Sequence, residues 1–197
     1  MPQASPKPSS SSRPPSSSCV YTIGHSTRSI DEFVAILADA GVTRVVDVRA
    51  FPMSRRHPQF NRDALTISLP AAGLDYHHLP ALGGRRGAKK GGGSRNGLWK
   101  VEAFRNYADY AETPPFAAAL GALEAFARER PTAYMCAEAV WWQCHRRLIT
   151  DYLLARGWTV THLLGIGQRQ DAAMTPGARP QADGTIWYPA PQPGLLA

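Results

Sequence analysis

A short stretch of the chain concentrates side chains that can act as nucleophiles, acids or bases. Cys136 and Glu138 stand at its start, and Cys144, His145 and Arg146 stand at its end. We predict that the Cys-His-Arg triplet opens a helix, where free backbone N–H groups attract anions and lower the pKa of a cysteine. Arg146 would then bind a phosphate or carboxylate group. The pattern predicts a catalytic group of Cys144, Glu138 and His145, with Glu138 as general acid or base.

These residues also have purely structural interpretations. Cys144 can be a small buried hydrophobic residue, and Glu138 can pair with a nearby arginine. Cys136 and Cys144 are separated by seven residues, which is not the close spacing of structural zinc ligands, so we expect no metal. A four-ligand site that recruits His25 or His162, and a redox pair of the two cysteines, remain alternatives.

Further candidates for ligand binding follow the ends of other predicted strands. Asp47 and Arg49 alternate along one strand, so both side chains point to the same face and can form an ion pair instead. For two others the structural alternative is local. Gly24 would then only permit a tight turn, and Ser26 would only cap a helix. Ligand contact and local structure therefore remain alternatives for this set, which comprises Gly24, His25, Ser26, Arg49, Ser54, Arg55 and Arg85.

Basic charge is concentrated in a glycine-rich stretch at residues 83–97. It holds seven glycines and five basic residues without an acidic one, in a chain whose net charge is +7. Such a stretch can close over a polyanion, with Trp99, Tyr107 and Tyr110 stacking on bases. It can equally be a surface loop. No Walker or dinucleotide motif is present, so the cofactor stays unknown.

Strand-like and helix-like segments alternate along the chain and must position these residues. The pattern predicts an α/β fold, namely a single Rossmann-like domain with a mainly parallel sheet and helices on both faces. Ligands of such sheets bind outside the carboxyl ends of the strands, where the candidate residues lie. Predicted strands span 20–23, 42–48, 74–79, 132–136 and 158–164, and predicted helices span 30–40, 61–69, 101–111, 115–130 and 144–155.

The ends of the chain differ in composition from its middle. Residues 1–18 contain eight Ser and five Pro, which predicts a disordered tail. We expect the α/β domain to span residues 19–165, with residues 83–97 as a flexible basic loop. An irregular extension then covers residues 166–197, in which Ile186-Trp187-Tyr188 forms a short strand or a patch that docks on the domain.

The overall composition limits the class of protein. A chain of 197 residues that is 44% hydrophobic suits one domain with a sizeable core. It has no apolar run long enough to span a membrane, and three cysteines do not predict a disulfide-stapled fold. We therefore expect a cytoplasmic protein with an anionic partner (phosphate, nucleotide or nucleic acid) and no membrane partner. The sequence predicts no oligomeric state.

A series of short motifs runs through the predicted domain: Thr22-Ile23-Gly24-His25-Ser26, Val46-Asp47-Val48-Arg49, Pro52-x-Ser54-Arg55, Phe60-Asn61, Tyr76-x-x-Leu79-Pro80-x-Leu82-Gly83-Gly84, Cys136-Ala137-Glu138 and Cys144-His145-Arg146. In order and spacing, these motifs resemble the domain-of-unknown-function family DUF488 over roughly residues 20–164. The resemblance implies a compact Rossmann-like domain with a shared edge built from these motifs, and it supplies no established reaction. Some members carry a DNA-repair label.

The sequence thus favours a protein that acts on or binds a nucleotide or nucleic acid, with DNA repair as one context, through an anion-binding cleft at the carboxyl edge of the sheet. Two alternatives remain open at this point. One is a non-catalytic nucleic-acid-binding module that relies on the basic stretch. The other is a metal- or redox-dependent regulator that uses Cys136 and Cys144.

Overall fold

A computed structural model describes residues 18–88 and 93–191 of the chain. Its centre is a six-stranded sheet with the strand order β3-β2-β4-β1-β5-β6, in which only β6 is antiparallel. The strands are β1 (Cys19–Gly24), β2 (Arg44–Asp47), β3 (Asp75–His78), β4 (Thr132–Cys136), β5 (Thr159–Gly165) and β6 (Gln168–Asp171). This arrangement confirms the predicted α/β fold.

In the described part of the chain, five α-helices cover both faces of the sheet: α1 (Ile30–Asp39), α2 (Arg62–Ala71), α3 (Glu102–Ala111), α4 (Pro114–Glu129) and α5 (Arg146–Ala155). Strand β4 shows how the faces are divided, because successive side chains of a strand point to opposite sides. Ala133 and Met135 pack with α1 and α2, whereas Tyr134 and Cys136 pack with α3, α4 and α5. Every residue of β4 is buried, as expected for a central parallel strand.

Local signals explain where the first helix begins. Ser29 precedes α1 in extended conformation, and its hydroxyl accepts a hydrogen bond of 3.1 Å from the backbone N–H of Glu32. This is the predicted helix cap. Asn61 also precedes a helix, but its side-chain oxygen accepts from the backbone of Ser54 instead of capping α2.

Helix α5 begins later than the sequence predicted. A short 3₁₀ turn, Trp141–Gln143, comes first, and Cys144 is extended with φ −123° and ψ 148°. The helix starts at Arg146 with His145 as its N-cap residue. Cys144 therefore lies before the helix rather than in its first turn.

The C-terminal region is more ordered than the predicted irregular extension from residue 166. Besides β6, it contains a small hairpin of β7 (Arg179–Pro180) and β8 (Ile186–Trp187). Ile186 and Tyr188 are fully buried, and the Tyr188 hydroxyl donates to the buried Asp151 carboxylate at 2.9 Å. The segment therefore docks on the domain.

Residues 1–17 and 89–92, which include most of the predicted tail and part of the basic stretch, lie outside the described residues, as do residues 192–197. Within the residues described, no helix combines the length and apolar character needed to cross a membrane.

Candidate functional site

A cavity of about 280 Å³ opens at the carboxyl edge of the sheet, and we call it the edge cavity. Its walls come from the segments after β2 and β4, the turn at Gly84, one face of α3 and the residues just before α5. The lining residues are Arg49, Ala50, Phe51, Gly84, Arg85, Ala103, Phe104, Tyr107, Cys136, Ala137, Glu138, Gln143 and His145.

Two cysteines and one histidine meet at the wall of the edge cavity. The Nδ1 atom of His145 lies 3.6 Å from the sulfur of Cys144 and 3.8 Å from that of Cys136. All three donor atoms lie within 4.8 Å of one another. We call these three residues the Cys–His cluster. Cys136 and His145 line the cavity, while Cys144 is only 2% exposed and lies behind them.

The His145 ring is held in one orientation by the strand beside it. Its Nε2–H donates to the backbone carbonyl of Val48 at 3.1 Å. This bond places the other ring nitrogen, Nδ1, towards the two sulfurs. In the neutral ring Nδ1 then carries a lone pair, so it can accept a proton or bind a metal.

Hydrogen bonds and charge distinguish the two thiols. A hydrogen bond to Cys144 and burial raise the pKa of Cys136 well above its usual value. Burial also opposes ionisation of Cys144. Hydrogen bonds from Cys136 and His145, together with the charges of His145 and Arg146, nevertheless hold the Cys144 pKa well below its usual value. Of the two thiols, Cys144 is therefore the one that ionises more readily.

Arg146 supports the site from behind instead of reaching into the cavity. It is 1% exposed, and its guanidinium donates to the hydroxyl of Thr22 and to the backbone carbonyl of Glu138. A Cβ atom on Gly24 would lie 1.9 Å from the same carbonyl oxygen, so only glycine fits there. Gly24 and Arg146 were both expected to bind a ligand, and the structure gives both a role in packing.

Gly84 brings the backbone directly against the catalytic candidate His145. A Cβ atom at position 84 would lie 2.6 Å from Nδ1 of His145. Because this is far below van der Waals contact, any larger residue at position 84 must displace the imidazole ring or the loop itself.

Arg49 is the centre of a buried network beneath the cavity. Its guanidinium makes two hydrogen bonds to Asp47, at 2.8 and 2.5 Å, and one to His25 Nε2 at 3.1 Å. Tyr76 donates to the same carboxylate at 2.9 Å. Burial and the neighbouring Arg49 charge lower the pKa of His25 to about 4, so His25 is neutral. The predicted ion pair of Asp47 and Arg49 is therefore present.

Other predicted ligand-binding residues are outside the edge cavity. The Ser54 hydroxyl accepts from the backbone of His57 and so belongs to a turn. Ser26 adopts a positive φ of 51° beside β4, and it does not cap α1, which Ser29 does. Arg55 is exposed but does not line the cavity.

Four predicted site residues do line the edge cavity: Glu138, His145, Arg49 and Arg85. Of these, Glu138 and Arg85 are exposed. Among the described residues, neither side chain has a hydrogen-bond or ion-pair partner. Both are therefore available to a ligand, which is not true of Arg49.

Of the three aromatic residues expected at the site, only Tyr107 lines the edge cavity, where it is 1% exposed and its hydroxyl donates to the backbone carbonyl of Leu82. Trp99 packs against Phe104 and Tyr188, and the Tyr110 hydroxyl donates to the backbone. Phe51, which is 70% exposed, lies at the cavity instead. The sequence signal that could have identified Phe51 is its position two residues after Arg49. No sequence signal identified Phe104 or Gln143.

The other two histidines considered as metal ligands do not join the cluster. His25 bonds to Arg49, as described above. His162 is stacked on Trp141 at a ring distance of 4.3 Å, and its two ring nitrogens have no partner in the described part of the chain. Burial lowers the pKa of His162 to about 4.

Comparison with known proteins adds one match. A family model described as "Domain of unknown function DUF488" matches residues 29–153, more than half of the 197 residues. The matched region contains the Cys–His cluster and the two available charged residues, Glu138 and Arg85. No curated protein and no solved structure matches the chain.

Proposed function

The chain belongs to the DUF488 family, and on that premise we propose that it is an enzyme acting on one nucleotide unit, free or within a single-stranded nucleic acid. The observation that carries this proposal is the content of the edge cavity. A carboxylate and a guanidinium without partners among the described residues face the same space as a Cys–His cluster and an exposed aromatic ring.

The size of the cavity supports a small substrate. Its volume of about 280 Å³ lies near the lower end of the roughly 300–1,000 Å³ typical of ligand pockets. One nucleotide fits such a space, whereas a double helix does not. A nucleotide within a longer strand would have to leave the base stack to enter.

The lining offers groups that suit the phosphate and the base of a nucleotide. Arg85 carries a guanidinium that suits a phosphate, and the exposed ring of Phe51 offers a face for base stacking. Gln143 adds an amide that can both donate to and accept from a base edge. These three residues therefore account for binding.

Glu138 and the Cys–His cluster account for the chemistry. The carboxylate of Glu138 is placed to give or take a proton at the substrate. It shares the cavity wall with Cys136 and His145, which present a sulfur and an imidazole to the same space. Pure phosphate binding requires none of these groups.

The basic stretch gives less support to a non-catalytic binding module. Arg86 stacks over Tyr110 at 3.7 Å and donates to backbone carbonyls. Arg95 pairs with Glu112 and covers the Trp187 ring. These two cations stabilise the fold, so fewer charges of the stretch can neutralise phosphates than its composition suggests.

Binding measurements test this proposal. The four nucleoside monophosphates and labelled single-stranded DNA and RNA are titrated at two salt concentrations against the wild type, Arg85→Gln and Arg130→Gln. Arg130 is the matched control because it lies just before β4, at the opposite edge of the sheet, in an exposed pair with Asp75.

We expect Arg85→Gln to weaken binding roughly tenfold to a hundredfold, the equivalent of about 1.5–3 kcal/mol for a hydrogen bond to a charged group. For single strands it should also lower the salt slope by about 0.7. Arg130→Gln should bind like the wild type. Absence of nucleotide binding, or a steep salt slope that Arg85→Gln leaves unchanged, would contradict the proposal.

A further inference from the structure

We propose that the Cys–His cluster binds one transition-metal ion of the zinc type, with a coordination position open to the edge cavity. Cys136, Cys144 and His145 supply two sulfurs and one imidazole nitrogen, a donor set that soft and borderline metals prefer. The spacing along the chain did not predict this site, because the third donor comes from the residue next to Cys144 and not from a paired-cysteine motif.

The distances within the cluster fit tetrahedral coordination. Zinc–sulfur and zinc–nitrogen bonds of about 2.3 and 2.0 Å place a sulfur and a nitrogen ligand roughly 3.5 Å apart. The observed sulfur–nitrogen distances are 3.6 Å for Cys144 and 3.8 Å for Cys136. The two sulfurs, which lie within 4.8 Å of each other, are about 3.8 Å apart in tetrahedral zinc geometry, so a metal ion can enter with side-chain shifts of about 1 Å or less.

The surroundings hold the ligands as metal sites require. The Val48 carbonyl accepts from Nε2 of His145, so the ring presents Nδ1 to the sulfurs, and such outer contacts are typical of metal-bound histidines. Gly84 packs against the same ring. Cys136 is fixed at the end of the central strand β4.

Three protein ligands with an open side are the arrangement of catalytic metal sites, whereas structural sites are usually closed by four. Two of the ligands, Cys136 and His145, reach the cavity wall. An ion held there can polarise a substrate oxygen or a bound water. Glu138 is not needed as a ligand and stays available to the substrate.

Charge in the cluster is consistent with a divalent ion. Two thiolates neutralise such an ion, and the buried guanidinium of Arg146 behind them leaves a net positive site. A positive site favours an anionic substrate. The role of the metal in catalysis rests on the proposed function, whereas metal binding itself does not.

Cobalt is a suitable probe because thiolate ligands give Co²⁺ strong near-ultraviolet charge-transfer bands, and tetrahedral geometry gives it intense visible bands. The reduced, chelator-treated full-length protein is titrated with Co²⁺ and then with Zn²⁺, without any nucleotide. We expect one equivalent of Co²⁺ to bind with both sets of bands and to be displaced by Zn²⁺. Elemental analysis of the Zn²⁺-loaded, gel-filtered protein should give one zinc per chain.

Variants assign the site to its residues. Cys144→Ser and His145→Gln should each weaken Co²⁺ binding at least tenfold, and Cys144→Ser should reduce the charge-transfer intensity. Two controls should retain wild-type binding. Cys19→Ser removes the third cysteine of the chain, which is the first residue of β1 and so lies at the amino edge of the sheet, away from the cluster. Glu138→Gln removes the cavity carboxylate, which is not one of the three ligands.

Three results would overturn the proposal. They are a wild-type protein with free thiols and no cobalt bands, bands that Cys144→Ser and His145→Gln leave unchanged, and a Cys136–Cys144 disulfide whose reduction restores no metal binding. Circular dichroism of each variant checks its fold, and the wild-type titration decides the matter even where a variant misfolds. Because no nucleotide is present, failure here is distinct from failure of nucleotide binding.

Discussion

Replacing Asp47 by Asn should destabilise the protein strongly, because it leaves Arg49 buried without a charged partner. Asp47 is fully buried on β2, and Arg49 is 7% exposed. The carboxylate accepts two hydrogen bonds from the guanidinium, one from the Arg49 backbone N–H and one from Tyr76. The substitution keeps the shape of the side chain and removes its charge.

Removing one partner of a buried ion pair costs about 3–5 kcal/mol. Most domains of this size are stable by only about 5–15 kcal/mol, so the loss is a large share of the total. With a urea m-value of about 2 kcal/mol/M, the midpoint of unfolding should fall by roughly 2 M. Adding Arg49→Met to Asp47→Asn should recover part of the loss, because the unpaired charge is then absent.

Equilibrium unfolding in urea, followed by circular dichroism, measures this effect. Asp75→Asn on the neighbouring strand β3 is the matched control, since Asp75 is 43% exposed and pairs with Arg44 and Arg130. Arg44 is buried but keeps its ion pair with Glu129 when Asp75 is replaced. The exposed Asp75–Arg130 pair contributes only about 0–1 kcal/mol, so the control should change stability much less than Asp47→Asn. A cost below about 1 kcal/mol for Asp47→Asn, or one equal to that of the control, would show that Arg49 does not depend on a charged partner.

Three further variants test other parts of the structure. Gly84→Ala should displace the His145 ring and weaken Co²⁺ binding at least tenfold, whereas Gly87→Ala, whose Cβ meets nothing within 4 Å, should not. Burial holds the His162 pKa near 4, against about 6.5 when unfolded. The free energy of unfolding should therefore fall as the pH drops from about 6.5 to 4. In urea titrations at pH 7 and 5, His162→Phe should show a smaller fall in the free energy of unfolding than the wild type. An equal fall in the two proteins would count against burial of His162 as the cause. Tyr188→Phe should cost about 1–3 kcal/mol in the same assay, because a buried carboxylate loses its donor.

Strand and helix positions were largely predictable where the local pattern is strong. The apolar run at Thr132–Cys136 is a strand with the predicted bounds, and the Ser29 cap begins α1 as expected. Strand β6 was missed because its sequence, Gln168–Asp171, is polar and exposed throughout. Its conformation comes from pairing with β5, which is a tertiary contact.

The candidate site was predictable as an edge of the sheet but not as a set of contacts. Residues after parallel strands meet at one edge, and the structure places Glu138 and Arg85 together in the edge cavity there. The sequence does not show that Arg146 is buried, since arginine is usually exposed. Nor does it show that His145 turns towards Cys136, because that depends on the Val48 carbonyl and on the start of α5 two residues after Cys144.

The most direct test of the proposed enzyme separates binding from turnover in Glu138→Gln. The wild type, this variant and Glu129→Gln, a glutamate at the far end of α4, are incubated with the four nucleoside monophosphates and with single-stranded DNA and RNA, and the products are resolved by mass spectrometry. We expect the wild type and Glu129→Gln to convert a substrate, and Glu138→Gln to bind the same substrate with at least a hundredfold lower turnover. Conversion by Glu138→Gln at the wild-type rate, or no conversion of any nucleotide by the wild type, would contradict the proposed function.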